Sequence, residues 1–315
     1  TDAVPTGPQP PEAGHIDINT MELKNNEYLV TMEEDWEASL TLDADLQTFA
    51  EKLLTRAKVP AGAIVVLDLE SSKVLALADR IEEGHPVAPV LQEGQPKHLA
   101  LRRVAPSASI FKIVSGASLL QQGLKPDLLY PYRYAKRRIT TRHLKPDRGS
   151  AQADLASAMA KSNNGFFAAA ASRFLSQEQL YKTANQFGFN QPVPFAALVE
   201  PSLATVPSDP LERARMAAGF WHSQLTPLHA AVILHTVANG GHFVQPRLVE
   251  ALRHVSGISH QAPKASKRHS VISAKDAKSL ESGLRKALTS GTASRSFSKW
   301  NQKLSAIKVF GKTGT

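Results

Sequence analysis

The chain contains no cysteine, which excludes disulfides, thiolate metal ligands and a cysteine nucleophile. It also lacks an unbroken apolar run of roughly eighteen residues, so no segment reads as a membrane-spanning helix. Thr1 does not open a secretory signal: the first residues are Pro-rich and acidic rather than basic and then apolar. Aromatic residues make up only 6% of the chain, and no dense basic stretch interleaves with them beyond Tyr134, as a nucleic-acid reader would require. What is present is an apolar share of 42% over 315 residues, enough for a large core and too much for general disorder. The net charge is +9. With nucleic acid set aside, such a surplus suits anionic lipid or an anionic cell-wall polymer.

Residues 1–14 (TDAVPTGPQPPEAG) form a Pro/Gly-rich leader, and 16–38 are acidic and mixed, with strand-like pieces around Tyr28–Met32. Leu42–Lys58 has helical spacing, with Asp43 as N-cap and Leu46, Phe49, Ala50, Leu53 and Leu54 on one face. Ala63–Leu69 and Val74–Ala78 flank a polar Glu70–Lys73 turn, which predicts a β-hairpin covered on both faces. Helical patterns follow at Ser109–Gln122, Leu155–Leu175, Ala230–Ala238 and Ser273–Ser290, before a strand-like Lys303–Thr315. Arg133–Lys145 (RYAKRRITTRHLK) is the one dense basic stretch. It reads as a solvated loop or as a patch for an anionic partner. The fold class is α+β, an antiparallel sheet beside a helical mass.

Three short motifs stand in order: Ser109-Ile110-Phe111-Lys112, Ser162-Asn163-Asn164 and Lys312-Thr313-Gly314-Thr315. A serine hydroxyl becomes a useful nucleophile when a base takes its proton. Residues three apart share a helix face, so Lys112 can reach back to Ser109. The Ser109 N–H at a helix start is free to face an oxyanion. Lys112 must be neutral part of the time, which needs burial or a nearby positive charge such as Lys312. The Ser162 hydroxyl can relay a proton and the Asn164 amide can hold a substrate carbonyl. Lys312, Thr313 and Thr315 on a strand edge can meet a terminal carboxylate, with Gly314 admitting the substrate. Each motif alone also suits a plainer reading: a helix start with a surface lysine, a polar turn, a Gly-containing edge strand.

The trio together is the signature shared by penicillin-binding proteins and class A β-lactamases. From about Ser39 to Thr315 the chain resembles the transpeptidase domain of penicillin-binding proteins. Further matches are Leu42–Gln47, Gly62–Asp68, Val74–Ala78, Thr226–Ala231, Ala238–Gly241, Pro246–Val249 and Ser290–Ala293. The resemblance implies a five-stranded antiparallel sheet with helices on both faces and an all-helical subdomain. It implies Ser109 as acylated nucleophile, Lys112 as base, Ser162 as proton relay and Asn164 as ligand of the substrate amide. Lys312, Thr313, Gly314 and Thr315 would bind substrate, and the Ser109 and Thr315 N–H groups would form the oxyanion hole. Ile110 departs from the small or Thr residue usual there.

The implied activity is a peptidoglycan D,D-transpeptidase acting on D-Ala-D-Ala stem peptides and acylated by β-lactams. It would lie in the bacterial envelope, alongside other cell-wall synthesis proteins, without metal or organic cofactor. Any membrane attachment would lie outside this chain. A D,D-carboxypeptidase, a serine β-lactamase, a β-lactam sensor and a silent scaffold are the alternatives. The 150-residue interval from Ser162 to Lys312 is long for a lactamase. Glu200 and Glu212 in that interval lack the Asn neighbour of a deacylating glutamate. The expected layout is a leader and small segment over 1–38 and the transpeptidase domain over 39–315. In the resembled family two more strands and a helix follow K-T-G-T. The expectation is therefore a longer natural chain, by roughly 50 residues or more, or a second chain supplying those strands.

Overall fold

The computed structural model describes residues 11, 16–86, 96–147, 149–262, 268–298 and 306–314. It is a mixed α+β fold with an antiparallel sheet and many helices. Strands β1 (Glu22–Lys24), β2 (Glu27–Thr31) and β3 (Trp36–Leu40) form a meander. β3 then pairs with Val249–His254, and that strand with Ser259–Gln261, to complete five strands. This is not the five-stranded sheet the resemblance implies, because the hairpin is not part of it. Trp36, 1% exposed, holds the join, with the rings of His254 and His260 at 5.1 and 5.6 Å.

Helix α1 (Ala44–Arg56) starts where expected, the Asp43 carboxylate accepting from the Leu46 N–H at 2.9 Å. Its buried face differs from the expected one. Ala44, Gln47, Ala50 and Leu54 are buried, whereas Leu46, Phe49 and Leu53 are exposed. Gln47 explains the rotation. Its amide donates to the Leu77 carbonyl at 3.2 Å and accepts from the Leu77 N–H at 2.8 Å, turning the small Ala50 toward the hairpin. That hairpin is β4 (Ala61–Leu67) and β5 (Val74–Ile81), a two-stranded sheet of its own. The expected cover on both faces holds for much of β5 but not for β4, which is half-exposed along its whole length.

Helix α2 (Phe111–Gln121) is buried at every residue from Phe111 to Leu120, so it is the central post of the helical mass. Around it stand α3 (Leu155–Ala160), α4 (Asn164–Phe174), α5 (Gln177–Gln186) and α6 (Pro210–Ala217). α7 (Pro227–Ala238), capped by Thr226, and α8 (Ala274–Thr289), capped by Ser273, run on toward the last segment. The strand expected over Lys303–Thr315 joins no ladder within the described 306–314. Its Gly311 N–H donates instead to the Leu284 carbonyl of α8 at 3.2 Å. Among the described residues no helix is long and apolar enough to cross a membrane.

Candidate active site

Ser109 sits in a 3-10 turn, Ala108–Ile110, that leads into α2, so Lys112 falls one turn on, inside the helix. The turn is braced from outside. Ala105–Pro106 pairs with Ser223–Leu225, and the Ser107 N–H donates to the Ser223 carbonyl at 3.1 Å. The chain between α6 and that strand therefore passes directly behind Ser109. Gly219 makes this possible: it has φ +86, and a Cβ there would run into the Ala108 carbonyl and lie 3.1 Å from Ser109 Cα.

The Ser162-Asn163-Asn164 motif has a separate structural reason at each position. The Ser162 N–H donates to the Met159 carbonyl at 3.1 Å and the Asn163 N–H to Ala158 at 2.9 Å, the paired bonds that close a helix with a left-handed residue. Ser162, at φ +51, occupies the position where glycine is preferred. Asn163 caps α4, its side chain accepting from the Phe166 N–H at 3.0 Å. Asn164 is the first residue of α4 and donates to the Lys136 carbonyl at 2.6 Å.

Four of the expected side chains meet in one hydrogen-bonded line. Lys112 Nζ lies 2.9 Å from Ser109 Oγ, Ser162 Oγ lies 2.8 Å from Ser109 Oγ, and Lys312 Nζ donates to Ser162 Oγ at 2.9 Å. Lys312 also donates to the Thr313 carbonyl at 3.0 Å, and Thr313 Oγ1 lies 2.7 Å from Thr292 Oγ1. Gly314 borders the Ser109 turn: a Cβ placed there would lie in ordinary van der Waals contact with Ala108 Cβ at 3.8 Å and Ile110 Cγ1 at 3.9 Å. Asn164 is not in that line; its amide is engaged by the Lys136 carbonyl. Thr315 lies outside the described residues. Ile110 packs half-buried against the core beside Gly314.

The electrostatics suit a base in this line. Lys112 is fully buried, and desolvation, followed by the charge of Lys312, pushes its ammonium well below the usual lysine range. Its other partners are the Ala218 carbonyl and the face of Phe167, 5.8 Å away, and among the described residues no carboxylate pairs with it. Burial brings Lys312 down to about 8. Sequence reasoning missed Ala218 and Gly219 as members of the site, and it matched Ser290–Ala293 to the family without giving Thr292 a role. Nothing local marks a backbone carbonyl as an acceptor, whereas Gly219 could have been flagged as a glycine between helix and strand signals.

The two candidate deacylating glutamates are occupied elsewhere. Glu200 accepts from the Arg103 N–H at 2.8 Å. Glu212 accepts from His222 Nε2 at 2.8 Å, from Trp221 Nε1 at 2.9 Å and from Arg215, which together hold it down at about 2.

The family described as penicillin binding protein transpeptidase domain matches residues 62–315. Penicillin-binding protein H of Bacillus subtilis is 35% identical over 98 residues, a stretch covering 29% of this chain and 12% of that protein. The D,D-transpeptidase domain of a peptidoglycan glycosyltransferase from Eggerthella lenta superposes with a TM-score of 0.70 at 23% identity, over 88% of this chain and 71% of that one. PBPA from Mycobacterium tuberculosis gives 0.63 at 21%, over 80% and 63%. The structural likenesses speak for the fold, and the family match for descent. This chain belongs to the penicillin-binding protein transpeptidase domain family.

Proposed function

We propose that the protein is a D,D-transpeptidase of peptidoglycan synthesis, working through an acyl-enzyme on Ser109. The observation that carries this is the line Lys112–Ser109–Ser162–Lys312, with a lysine at one end whose protonated form burial disfavours. Ser109 Oγ attacks the carbonyl of the penultimate D-Ala of a stem peptide while its proton passes to the neutral Lys112 Nζ. The oxyanion faces the Ser109 N–H at the start of the helix. As the tetrahedral intermediate collapses, the proton moves through Ser162 to the departing amine and terminal D-Ala leaves. Lys312 and Thr313 hold that residue's carboxylate until it departs. An amine from a neighbouring strand then attacks the Ser109 ester and forms the cross-link. Water in its place would make the protein a carboxypeptidase.

A β-lactam presents the same acyl group and carboxylate, and its ring opens on Ser109 to leave a stable ester. PBPA from Mycobacterium tuberculosis is described as forming such an acyl-enzyme complex with imipenem. The engagement of Glu212 and Glu200 supports slow loss of the adduct over lactamase turnover. The site of action would be the outer face of the bacterial membrane or the periplasm, where the polymer lies.

Labelling with a fluorescent penicillin, with mass spectrometry of the adduct over time, tests the reading. A long-lived adduct on Ser109 is expected. Turnover within seconds would favour a lactamase, and absence of any adduct a silent scaffold.

A further inference from the structure

The functional reading leaves one sequence feature unused. Residues 133–145 hold six lysines and arginines and no acid. Arg133 pairs with Asp147. Among the described residues, none of the other five (Lys136, Arg137, Arg138, Arg142 and Lys145) stands in an ion pair. A solvated loop needs only that such groups face water. This loop is also pinned at several points, and one of them is the candidate site.

The Arg133 carbonyl lies against Gly165, where any Cβ would collide with it. The Lys136 carbonyl accepts from Asn164 Nδ2 at 2.6 Å. Ala135 and Ile139 are buried, and the Ile139 carbonyl accepts from Arg215 Nε at 3.1 Å and Nη2 at 2.9 Å. Arg215 has its own counter-ion in Glu212, so it anchors the loop without adding free charge. The exposed triplet Lys136-Arg137-Arg138 thus forms a short bridge held at both ends, one end resting on Asn164. Five uncompensated like charges repel one another, and folding gains nothing from gathering them. Their field falls within a Debye length, about 10 Å at 0.1 M salt, so it reaches a substrate at Asn164 and little further.

We propose that this bridge selects acyl donors whose peptide carries free carboxylates upstream of the scissile bond, with Arg137 and Arg138 as the specificity-determining residues. The inference rests on the transpeptidase reading above. There Lys312 and Thr313 take the terminal carboxylate, so a longer donor runs out past Asn164, where the bridge lies. Guanidinium groups suit the task, since their planar fork pairs with a carboxylate through two hydrogen bonds.

The test compares two synthetic donors that end in D-Ala-D-Ala and differ only in an upstream side chain, a carboxylate in one and its amide in the other. At low salt the protein should favour the carboxylate donor in kcat/KM by about tenfold, because each exposed pair is worth a few-fold. Arg137→Gln with Arg138→Gln should bring the ratio to near one, and Arg137→Glu with Arg138→Glu should invert it. High salt should erase the preference in the unaltered protein. Penicillin acylation reports separately on Ser109: failure of labelling in the unaltered protein would sink the transpeptidase reading. Normal labelling with equal use of both donors, or a preference that survives Arg137→Gln with Arg138→Gln, would overturn the proposed selection alone.

Discussion

Gly219→Ala offers the sharpest test of how Ser109 is positioned. Gly219 has φ +86, which disfavours any L-residue with a side chain by about 1–2 kcal/mol. The added methyl would also collide with the Ala108 carbonyl, 2.7 Å from its carbon and 3.1 Å from Ser109 Cα. Ordinary contact lies near 3.5 Å, so the Ser109 turn or its brace must move by most of an ångström. A displacement of about 1 Å at reacting groups costs on the order of 10²-fold in rate. Gly123→Ala is the matched control, with φ +88 and open space where its Cβ would lie, at the far end of α2. Gly123→Ala should lose about 1–2 kcal/mol by thermal or denaturant unfolding, and Gly219→Ala more, because the collision adds to the same backbone cost. Stopped-flow acylation by a chromogenic β-lactam should fall about a hundredfold in Gly219→Ala only. Acylation within threefold of normal in Gly219→Ala, or equal loss in both variants, would refute the reasoning.

Ser109→Ala should abolish penicillin labelling while leaving the unfolding midpoint nearly unchanged; surviving label would remove Ser109 from the chemistry. Lys112→Ala should slow acylation by about 10²–10⁴-fold, the usual cost of losing a base, and a change below tenfold would assign the base elsewhere. Turnover of a D-Ala-D-Ala donor should rise with pH as Lys112 loses its proton below the usual lysine range, and fall through about pH 8 as Lys312 loses the charge that meets the carboxylate. Lys312→Gln removes the neighbouring charge, so the Lys112 pKa rises and the ascending limb moves to higher pH; a limb that stays in place would show the two lysines uncoupled. Ser162→Gly relieves a left-handed backbone but adds chain entropy, effects of about 1 kcal/mol in opposite directions. Its stability should therefore hold while acylation drops, and acylation at the normal rate would exclude Ser162 as relay.

Much of the site was legible because its chemistry is short-range in sequence. Ser109 and Lys112 share a helix face by spacing alone, and the polar Ser162-Asn163-Asn164 run suited a turn inside the helical pattern over Leu155–Leu175. Two caps were legible for the same reason, Asp43 and Ser273 each satisfying an N–H three residues away, whereas Thr226 caps a helix expected only from Ala230. What spacing could not convey is which distant partner each group meets. The pairing of Trp36–Leu40 with Val249–His254 crosses most of the chain, and no periodicity in either strand names the other. The same holds for Ala218, whose carbonyl binds Lys112 from 106 residues away.

The misjudged face of α1 shows the limit in physical terms. Periodicity told which residues of 42–58 lie together, but a helix with apolar groups on nearly half its surface can present either flank. One buried polar side chain decided between them. Gln47 carries an amide that would be costly to bury unpaired, and the Leu77 peptide offers both a donor and an acceptor. That match turns Phe49 outward, against its own hydrophobicity, to 57% exposure. In the active site the same preference for satisfied polar groups works against backbone comfort. Ala108 at φ +46 and Ser162 at φ +51 hold conformations that glycine would adopt more easily. A glycine at Ser162 would take one hydrogen-bond partner from Ser109 and leave Lys312 with the Thr313 carbonyl in place of two acceptors. Strain there follows from what the hydroxyl must reach, which is why local propensity argues for a turn at that position but does not explain the serine.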